Sequence, residues 1–114
     1  TGQAKITQCY NLPGKYVIHA VGPIYRGGKN NEEKLLHNCY FNSMKLAQEN
    51  NVQTIAFPCI STGVYRYPFT EACHIALSAI RQFMEQEDIP EKVYLVCFSE
   101  QDYLAYKQIY QENI

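Results

Sequence analysis

Apolar residues in this chain fall into short continuous runs and longer stretches with helical spacing. Runs at 16–21, 54–57 and 93–98 are rich in β-branched and aromatic residues, which is typical of short strands. A weaker alternating segment at 4–7 predicts a further short or edge strand. Because the run at 16–21 does not alternate, we expect it to be buried on both faces, with His19 as a hydrogen-bonded core residue.

Three segments place apolar residues on one helical face. The first should run from about residue 31 to 50, with Asn30 and Glu33 as a capping box. The second starts near Pro68, and the third opens with a capping box at residues 99–102. The last helix is expected to pack through Tyr103, Leu104, Tyr106, Ile109 and Tyr110.

Alternating strands and helices predict an α/β fold with parallel strands. In such folds ligands bind beyond the carboxyl ends of the strands. Two such ends, the loop at 60–67 and the corner at Phe98, should therefore lie on one edge of the sheet. A strand, a tight loop and a helix N-terminus in sequence can bind an anion through backbone N–H groups.

Individual loop residues fit this anion-binding interpretation. Gly63 lets the backbone approach a ligand closely or adopt a positive φ. Ser61 and Thr62 can add hydroxyl donors. The alternative is an ordinary connection between strand and helix, in which the glycine only makes a turn.

Composition narrows the class of protein. The chain has 114 residues, 46% hydrophobic and 18% charged, with a formal net charge of −1. These values fit one small globular domain and provide no long-range attraction to nucleic acid or an anionic membrane. No signal peptide or transmembrane run is evident. Any phosphate binding must then come from local geometry.

Cysteine usage points to a reducing, cytoplasmic compartment. An odd number of cysteines without CxxC spacing argues against a disulfide framework, and neither cysteines nor histidines have metal-ligand spacing. Cys73 and His74 point about 100° apart on a helix, so we expect both to be structural. The five cysteines are Cys9, Cys39, Cys59, Cys73 and Cys97.

Several segments together resemble macrodomains of the MacroD type. They lie at 2–7, 10–13, 16–19, 21–23, 55–65, 67–68 and 96–98, and the sequence Phe-Pro-Cys-Ile-Ser-Thr-Gly-Val-Tyr at 57–65 is the most specific of them. The resemblance covers essentially the whole chain. It implies one domain over residues 1–114 with a three-layer α/β/α fold around a mixed sheet.

The resemblance also implies a ligand and a reaction. Members bind ADP-ribose or ADP-ribosylated proteins, and many hydrolyse ADP-ribose from modified proteins or O-acetyl-ADP-ribose. No cofactor, metal, membrane or DNA partner is expected. By this resemblance, loop amides wrap the diphosphate, Tyr65 lies by the distal ribose and Phe98 packs against the adenine. The implied ligand-binding residues are Ile60, Ser61, Thr62, Gly63, Val64, Tyr65 and Phe98.

Departures from the family pattern are also informative. The first two strands, the first helix, the Asn-Ala-Asn segment and the Gly-rich catalytic loop are expected to be lacking, so catalytic residues stay unknown. The remaining strands should form two pairs with a gap between them, completed by another fragment, a second copy or a rearranged sheet. Arg66 replaces a usual Gly, Phe41 a common Arg, Ser99 a common acidic residue, and Gln8-Cys9 a usual glycine pair.

Three functions stay open at this point. The chain is an ADP-ribose-binding segment of a hydrolase, a non-catalytic nucleotide-diphosphate-binding remnant, or a structural, oligomerising module without a ligand. A cysteine hydrolase with Cys59 as nucleophile is a further alternative. It needs a base, and no histidine is placed by the sequence to activate that thiol.

Overall fold

Strands and helices alternate after an initial strand pair in the computed structural model, which describes residues 1–8, 16–63, 65–97 and 99–112. Each element lies close to its predicted position, because its apolar period differs clearly from that of its neighbours. In chain order the elements are β1 (Ala4–Gln8), β2 (Tyr16–Ala20), α1 (Glu32–Glu49), β3 (Thr54–Phe57), α2 (Phe69–Met84), β4 (Lys92–Leu95) and α3 (Glu100–Glu112).

Within the described ranges the strands form two separate two-stranded sheets, as the resemblance implied. β1 and β2 are antiparallel, with Ala4 opposite Ala20. β3 and β4 are parallel, with Phe57 opposite Leu95. A parallel pair requires a crossover connection, which here contains α2. The carboxyl ends of β3 and β4 therefore lie side by side.

The core forms where the three helices pack together and against one face of β3 and β4. Small residues along α2 let α1 approach it closely, and the Tyr40 ring of α1 packs on Phe57 with 4.9 Å between ring centroids. The large buried side chains of the core come from α1, β3, α2 and α3, and they are Leu36, Tyr40, Met44, Phe57, Leu77, Ile80, Phe83, Tyr106 and Ile109.

Burial on both faces, predicted for the run at 16–21, is wrong for the described side chains. His19 is exposed rather than in the core, and Val21 is 54% exposed. β4 alternates in the same way, since Leu95 packs on the core and Tyr94 is 55% exposed. A continuous apolar run shows that both faces can be buried, but only tertiary packing decides whether both are covered.

Two helix starts test the predicted caps. The Asn30–Glu33 box is wrong, because Asn31 is the N-cap of α1 and makes no side-chain cap hydrogen bond. Ser99 does cap α3, since its hydroxyl accepts the Asp102 N–H at 3.0 Å. Of the five residues expected to pack α3, Tyr106 and Ile109 are buried, whereas Tyr103, Leu104 and Tyr110 are exposed.

The segment before α1 is organised by a buried carboxylate. Glu32, 1% exposed, accepts backbone N–H bonds from Arg26 and Gly28 at 2.8 Å each and from Asn30 at 2.6 Å. The hydrogen bond from the Arg26 N–H, with those from Gly28 and Asn30, lowers the pKa of Glu32, while burial acts in the opposite direction. Glu32, and not the predicted Glu33, therefore accepts the backbone N–H groups that precede α1.

Candidate functional site

The loop between β3 and α2 adopts a tight, internally bonded conformation. The Thr62 hydroxyl donates to the Cys59 carbonyl at 2.9 Å, and the Tyr67 N–H donates to the Ser61 carbonyl at 2.9 Å. The Arg66 N–H donates to the Gly63 carbonyl at 3.0 Å. These bonds curl the chain back on itself directly before α2, which has Pro68 as its N-cap.

A positive φ, one of the two roles predicted for Gly63, occurs elsewhere in the loop. Ser61 has φ 68° and Arg66 has φ 62°, whereas Gly63 is not among the positive-φ glycines. Gly63 is exposed, and apart from its own chain neighbours no atom of the described residues lies within 4 Å of the position that a β-carbon would occupy there. Gly63 therefore leaves space for another molecule to approach the loop backbone, and it does not supply an unusual dihedral angle.

Helix α1 holds the start of the loop through one phenol. The Tyr40 hydroxyl donates to the Pro58 carbonyl at 3.3 Å and accepts the Ile60 N–H at 3.2 Å. Tyr40 is 1% exposed, and burial raises the pKa of its phenol, so it stays a neutral donor. Tyr40 lies within the first predicted helix, but hydrophobic periodicity alone cannot show which groups its hydroxyl contacts.

The segment after β2 holds the other end of the loop. The Tyr25 N–H donates to the Tyr65 carbonyl at 2.8 Å, and the Tyr25 ring packs on Tyr67 with 5.0 Å between centroids. A β-carbon on Gly22 would overlap the Ser61 hydroxyl oxygen. Gly22 directly follows the apolar run at 16–21, and nothing in that local pattern indicates this close approach to a distant loop.

Three backbone donors of the loop are uncommitted. Among the described residues, the N–H groups of Ser61, Gly63 and Tyr65 donate to no acceptor. Backbone donors normally find a partner, and clustered unpaired ones form an anion-binding concavity. The Thr62 hydroxyl, in contrast, donates to the Cys59 carbonyl, and the buried Ser61 hydroxyl oxygen has no partner in the part of the chain that is described.

The ends of β3 and β4 meet at this edge, as the parallel arrangement predicted. Cys59 and Cys97 lie next to each other, with 3.8 Å between their sulfur atoms. Ser99 begins α3 two residues beyond Cys97. Of the predicted ligand-binding residues, Ile60, Ser61, Thr62, Gly63 and Tyr65 lie together in the loop, while Val64 and Phe98 lie outside the described residues.

The electrostatics around the loop do not favour an ionised nucleophile. Burial, together with the hydrogen bond to Cys97, raises the pKa of the Cys59 thiol to about 12. A catalytic cysteine needs the opposite shift, so the cysteine-hydrolase alternative has no support. Burial also raises the pKa of Tyr67 to about 12, with Glu33 and Glu71 adding to the effect.

Cys73 and His74, adjacent on α2, have different surroundings. Cys73 is 2% exposed, whereas His74 is exposed on the other side of α2. Burial raises the pKa of the Cys73 thiol to about 12. Within the part of the chain that is described, no three histidine, cysteine or acidic side chains are grouped to hold a metal ion.

A separate cavity of about 620 Å³ lies between the start of α1 and the middle of α2. It shares no residue with the loop after β3. Its lining includes Lys29, Glu33, Lys34, His37, His74 and Ser78. Charges of both signs mix along these walls, so the cavity has no clear preference for one class of ligand.

None of the described helices has the length and apolar character needed to cross a bilayer.

Comparisons of sequence agree with this architecture. The family model described as Macro domain matches residues 1–76. A macro domain-containing protein of Methanosarcina mazei is 50% identical over 99 residues, which are 87% of this chain and 53% of that protein. An O-acetyl-ADP-ribose deacetylase of Escherichia fergusonii is 47% identical over 109 residues, which are 96% of this chain and 62% of the relative.

Solved structures show the same likeness. The Oceanobacillus iheyensis macrodomain with ADP superimposes with a TM-score of 0.93 at 43% identity, covering 100% of this chain and 61% of that one. The Trypanosoma brucei macrodomain in complex with ADP-ribose gives a TM-score of 0.84 at 37% identity, covering 95% and 45%. The chain thus spans about half to two thirds of the length of these relatives.

Proposed function

This chain belongs to the macro domain family, and we propose that it binds ADP-ribose, or a related nucleoside diphosphate, through the loop after β3. The proposed diphosphate contacts are backbone amides of the loop at residues 60–65, above all those of Ser61, Gly63 and Tyr65, since the Ile60 N–H donates to the Tyr40 hydroxyl. Tyr65 is proposed to lie by the distal ribose and Phe98 to pack against the adenine. In this proposal residues 1–114 act as one domain, consistent with the core that the three helices and β3 share.

The observation that carries the proposal is the set of uncommitted loop amides. The N–H groups of Ser61, Gly63 and Tyr65 have no acceptor among the described residues. They stand immediately before α2, whose first turn adds partial positive charge without a side-chain cap. Two phosphates need several donors at short range, and this loop offers them without a strongly basic surface.

Related proteins support the choice of ligand. One related structure contains ADP and another contains ADP-ribose, and both superimpose over nearly the whole of this chain. The diphosphate is common to these two ligands, which fits a loop built from backbone donors. A nucleotide would extend from the loop towards the adjacent end of β4, where residue 98 follows Cys97.

Hydrolysis is proposed only for a longer polypeptide that carries the rest of the family fold. The E. fergusonii relative named as an O-acetyl-ADP-ribose deacetylase is matched over 62% of its length. Residues 58–67 contain no carboxylate and no histidine, so the loop has no general acid or base of its own. Its contribution is to orient the diphosphate and to stabilise negative charge.

The separation of the sheets supports a second proposal, that another polypeptide segment completes the fold. β1–β2 and β3–β4 form no common sheet among the described residues. Sheet edges carry unpaired backbone groups, and an added strand would pair with them. The partner is either a complementing fragment or a second copy of this chain.

The four described cysteines are unbridged, which supports a reducing compartment such as the cytoplasm.

Calorimetric titration of ADP-ribose into the reduced chain tests the binding proposal. We expect saturable binding with one site per chain. Gly63→Glu should weaken binding at least about tenfold, equivalent to about 1.4 kcal/mol, because it brings negative charge towards the phosphates. Gly63→Gln is the matched control, since it adds almost the same volume without charge at an open position. Equal affinity for the Glu and Gln variants would overturn the loop assignment.

Native mass spectrometry tests the completion proposal separately. A monomer that binds ADP-ribose would show that no second copy is needed. A dimer that binds, and loses binding on dilution to monomer, would support completion by a second copy. A chain that forms oligomers and binds no nucleotide in either assay would favour the structural alternative and contradict the binding proposal.

A further inference from the structure

Two cysteine side chains lie in contact at the edge of the parallel sheet. Cys59 and Cys97 follow the paired residues Phe57 and Leu95 by the same two positions, so they continue the register of β3 and β4. Their sulfur atoms are 3.8 Å apart, and both side chains are half-buried. The Cys59 thiol also approaches the Val96 carbonyl at 3.7 Å.

The other described cysteines have different surroundings. Cys39 is fully buried and its thiol donates to the Val21 carbonyl at 3.2 Å. Cys73 is also buried, at 2% exposure, and packs in the hydrophobic core. Inaccessible thiols of this kind are generally inert. Of the four described cysteines, only Cys59 and Cys97 combine a thiol neighbour in contact with partial exposure.

We propose that Cys59 and Cys97 form a redox-sensitive dithiol that closes to an intramolecular disulfide when a low-molecular-weight disulfide is the oxidant. One thiolate attacks the small disulfide, forming a mixed disulfide and releasing one small thiolate. The second cysteine, after losing its proton to solvent, attacks the protein sulfur of that mixed disulfide and releases the second small thiolate. Both protein thiols are oxidised and one small disulfide is reduced to two thiols.

The geometry permits this closure with a small movement. A disulfide needs about 2.05 Å between sulfur atoms and about 5.5 Å between α-carbons, which suits neighbouring strands in register. The sulfur atoms must approach by less than 2 Å from their distance of 3.8 Å. Burial raises the pKa of Cys59 to about 12, so the reaction is slow at neutral pH and faster in alkaline solution.

The disulfide would connect the start of the loop after β3 to the segment that leads into α3. Cys59 immediately precedes Ile60, and its carbonyl accepts the Thr62 hydroxyl. Cys97 lies two residues before the cap of α3. Oxidation would therefore fix the distance between the loop after β3 and the start of α3. This inference goes beyond the proposed nucleotide binding and does not depend on it.

Peptide mapping after oxidation tests the proposal. The folded chain is incubated with excess oxidised glutathione at about pH 8.5, where more thiol is ionised, and then quenched with iodoacetamide. We expect a loss of two hydrogen atoms per chain and a linked peptide pair containing Cys59 and Cys97. Cys73→Ser should retain this link. Cys59→Ser and Cys97→Ser should each abolish it and leave a glutathione adduct on the remaining cysteine.

Oxidation of the denatured chain is the control, because it shows which cysteines link when the fold does not hold Cys59 and Cys97 together. The same oxidation in guanidinium chloride should distribute links among all five cysteines, including Cys9. The proposal is overturned if the folded chain shows the same distribution, or if glutathione adducts on Cys59 and Cys97 persist without linking. Because mass is the readout and no nucleotide is added, neither outcome affects the calorimetric test of binding.

Discussion

Gly22, after the second strand, lies directly against Ser61 in the loop after β3, and no side chain fits between them. A β-carbon on Gly22 would overlap the Ser61 hydroxyl oxygen and stand 2.5 Å from the Ile60 Cγ2. Gly22 follows β2 and Ser61 follows β3, and these strands belong to different sheets, so this contact fixes how closely the segment after β2 approaches the loop. The loop geometry thus depends on a glycine far from it in sequence.

We expect Gly22→Ala to lower the free energy of unfolding by about 1–3 kcal/mol, the usual cost of forcing extra volume into a packed site. Denaturant unfolding measures it. Gly63→Ala is the control, because no described residue other than its chain neighbours comes within 4 Å of its β-carbon position, and its effect should stay within about 0.5 kcal/mol. A Gly22→Ala variant as stable as the parent would show that the loop moves away freely.

Arg66 stores strain that a glycine would release. Its φ of 62° lies in the left-handed region, which costs a residue with a β-carbon about 1–2 kcal/mol. Arg66→Gly should therefore raise the free energy of unfolding by on the order of 1 kcal/mol, after the higher chain entropy of glycine is subtracted. Arg66→Ala keeps the β-carbon and should bring no such gain. Equal gains in both variants would point to the arginine charge instead of the backbone.

Tyr40→Phe removes the hydroxyl that joins α1 to the loop. The Ile60 N–H and the Pro58 carbonyl would lose their partner, at a cost of about 1–2 kcal/mol in unfolding free energy. We also expect weaker ADP-ribose binding by calorimetry, since the loop loses its anchor. Tyr103→Phe, at a side chain that is 51% exposed, should change neither quantity. Identical behaviour of the two variants would exclude an anchoring role for Tyr40.

Glu32→Gln should lower the melting temperature at neutral pH, because an amide cannot accept all three backbone N–H bonds that the carboxylate accepts. The pKa of Glu32 is lowered from its usual 4.5 in the folded chain. The stabilising contribution is therefore complete above pH 4.5 and is lost as the pH falls through the folded-state pKa.

Thermal unfolding measured from neutral to acidic pH checks the direction of this pH dependence. The gap between the parent and Glu32→Gln should narrow as the pH falls below about 4.5. Glu33→Gln, at the adjacent exposed position, should follow the parent throughout. A gap that stays constant down to about pH 3 would mean that the negative charge of Glu32 contributes nothing.

Much of the candidate site followed from local sequence. β3 was predicted at 54–57 and observed at Thr54–Phe57, and α2 was predicted near Pro68 and begins at Phe69. These elements are local, so their limits depend on nearby apolar spacing and turn residues. Of the two roles predicted for Gly63, the positive φ is not observed, because Ser61 and Arg66 adopt the positive φ values of the loop, and close approach to a ligand stays a prediction.

The sequence by itself determined the order of strands and helices, the parallel approach of β3 and β4, and the common edge where their ends meet. These properties follow from the hydrophobic period and the connection lengths, which short stretches of the sequence show directly. Only the tertiary structure decided that Tyr40 holds the loop from 18 residues away and that Gly22 admits Ser61. It also decided that Tyr94 is exposed while Leu95 faces the core. The reason is that burial and hydrogen-bond partners depend on how separate elements dock, and a hydrophobic period does not specify which surfaces meet.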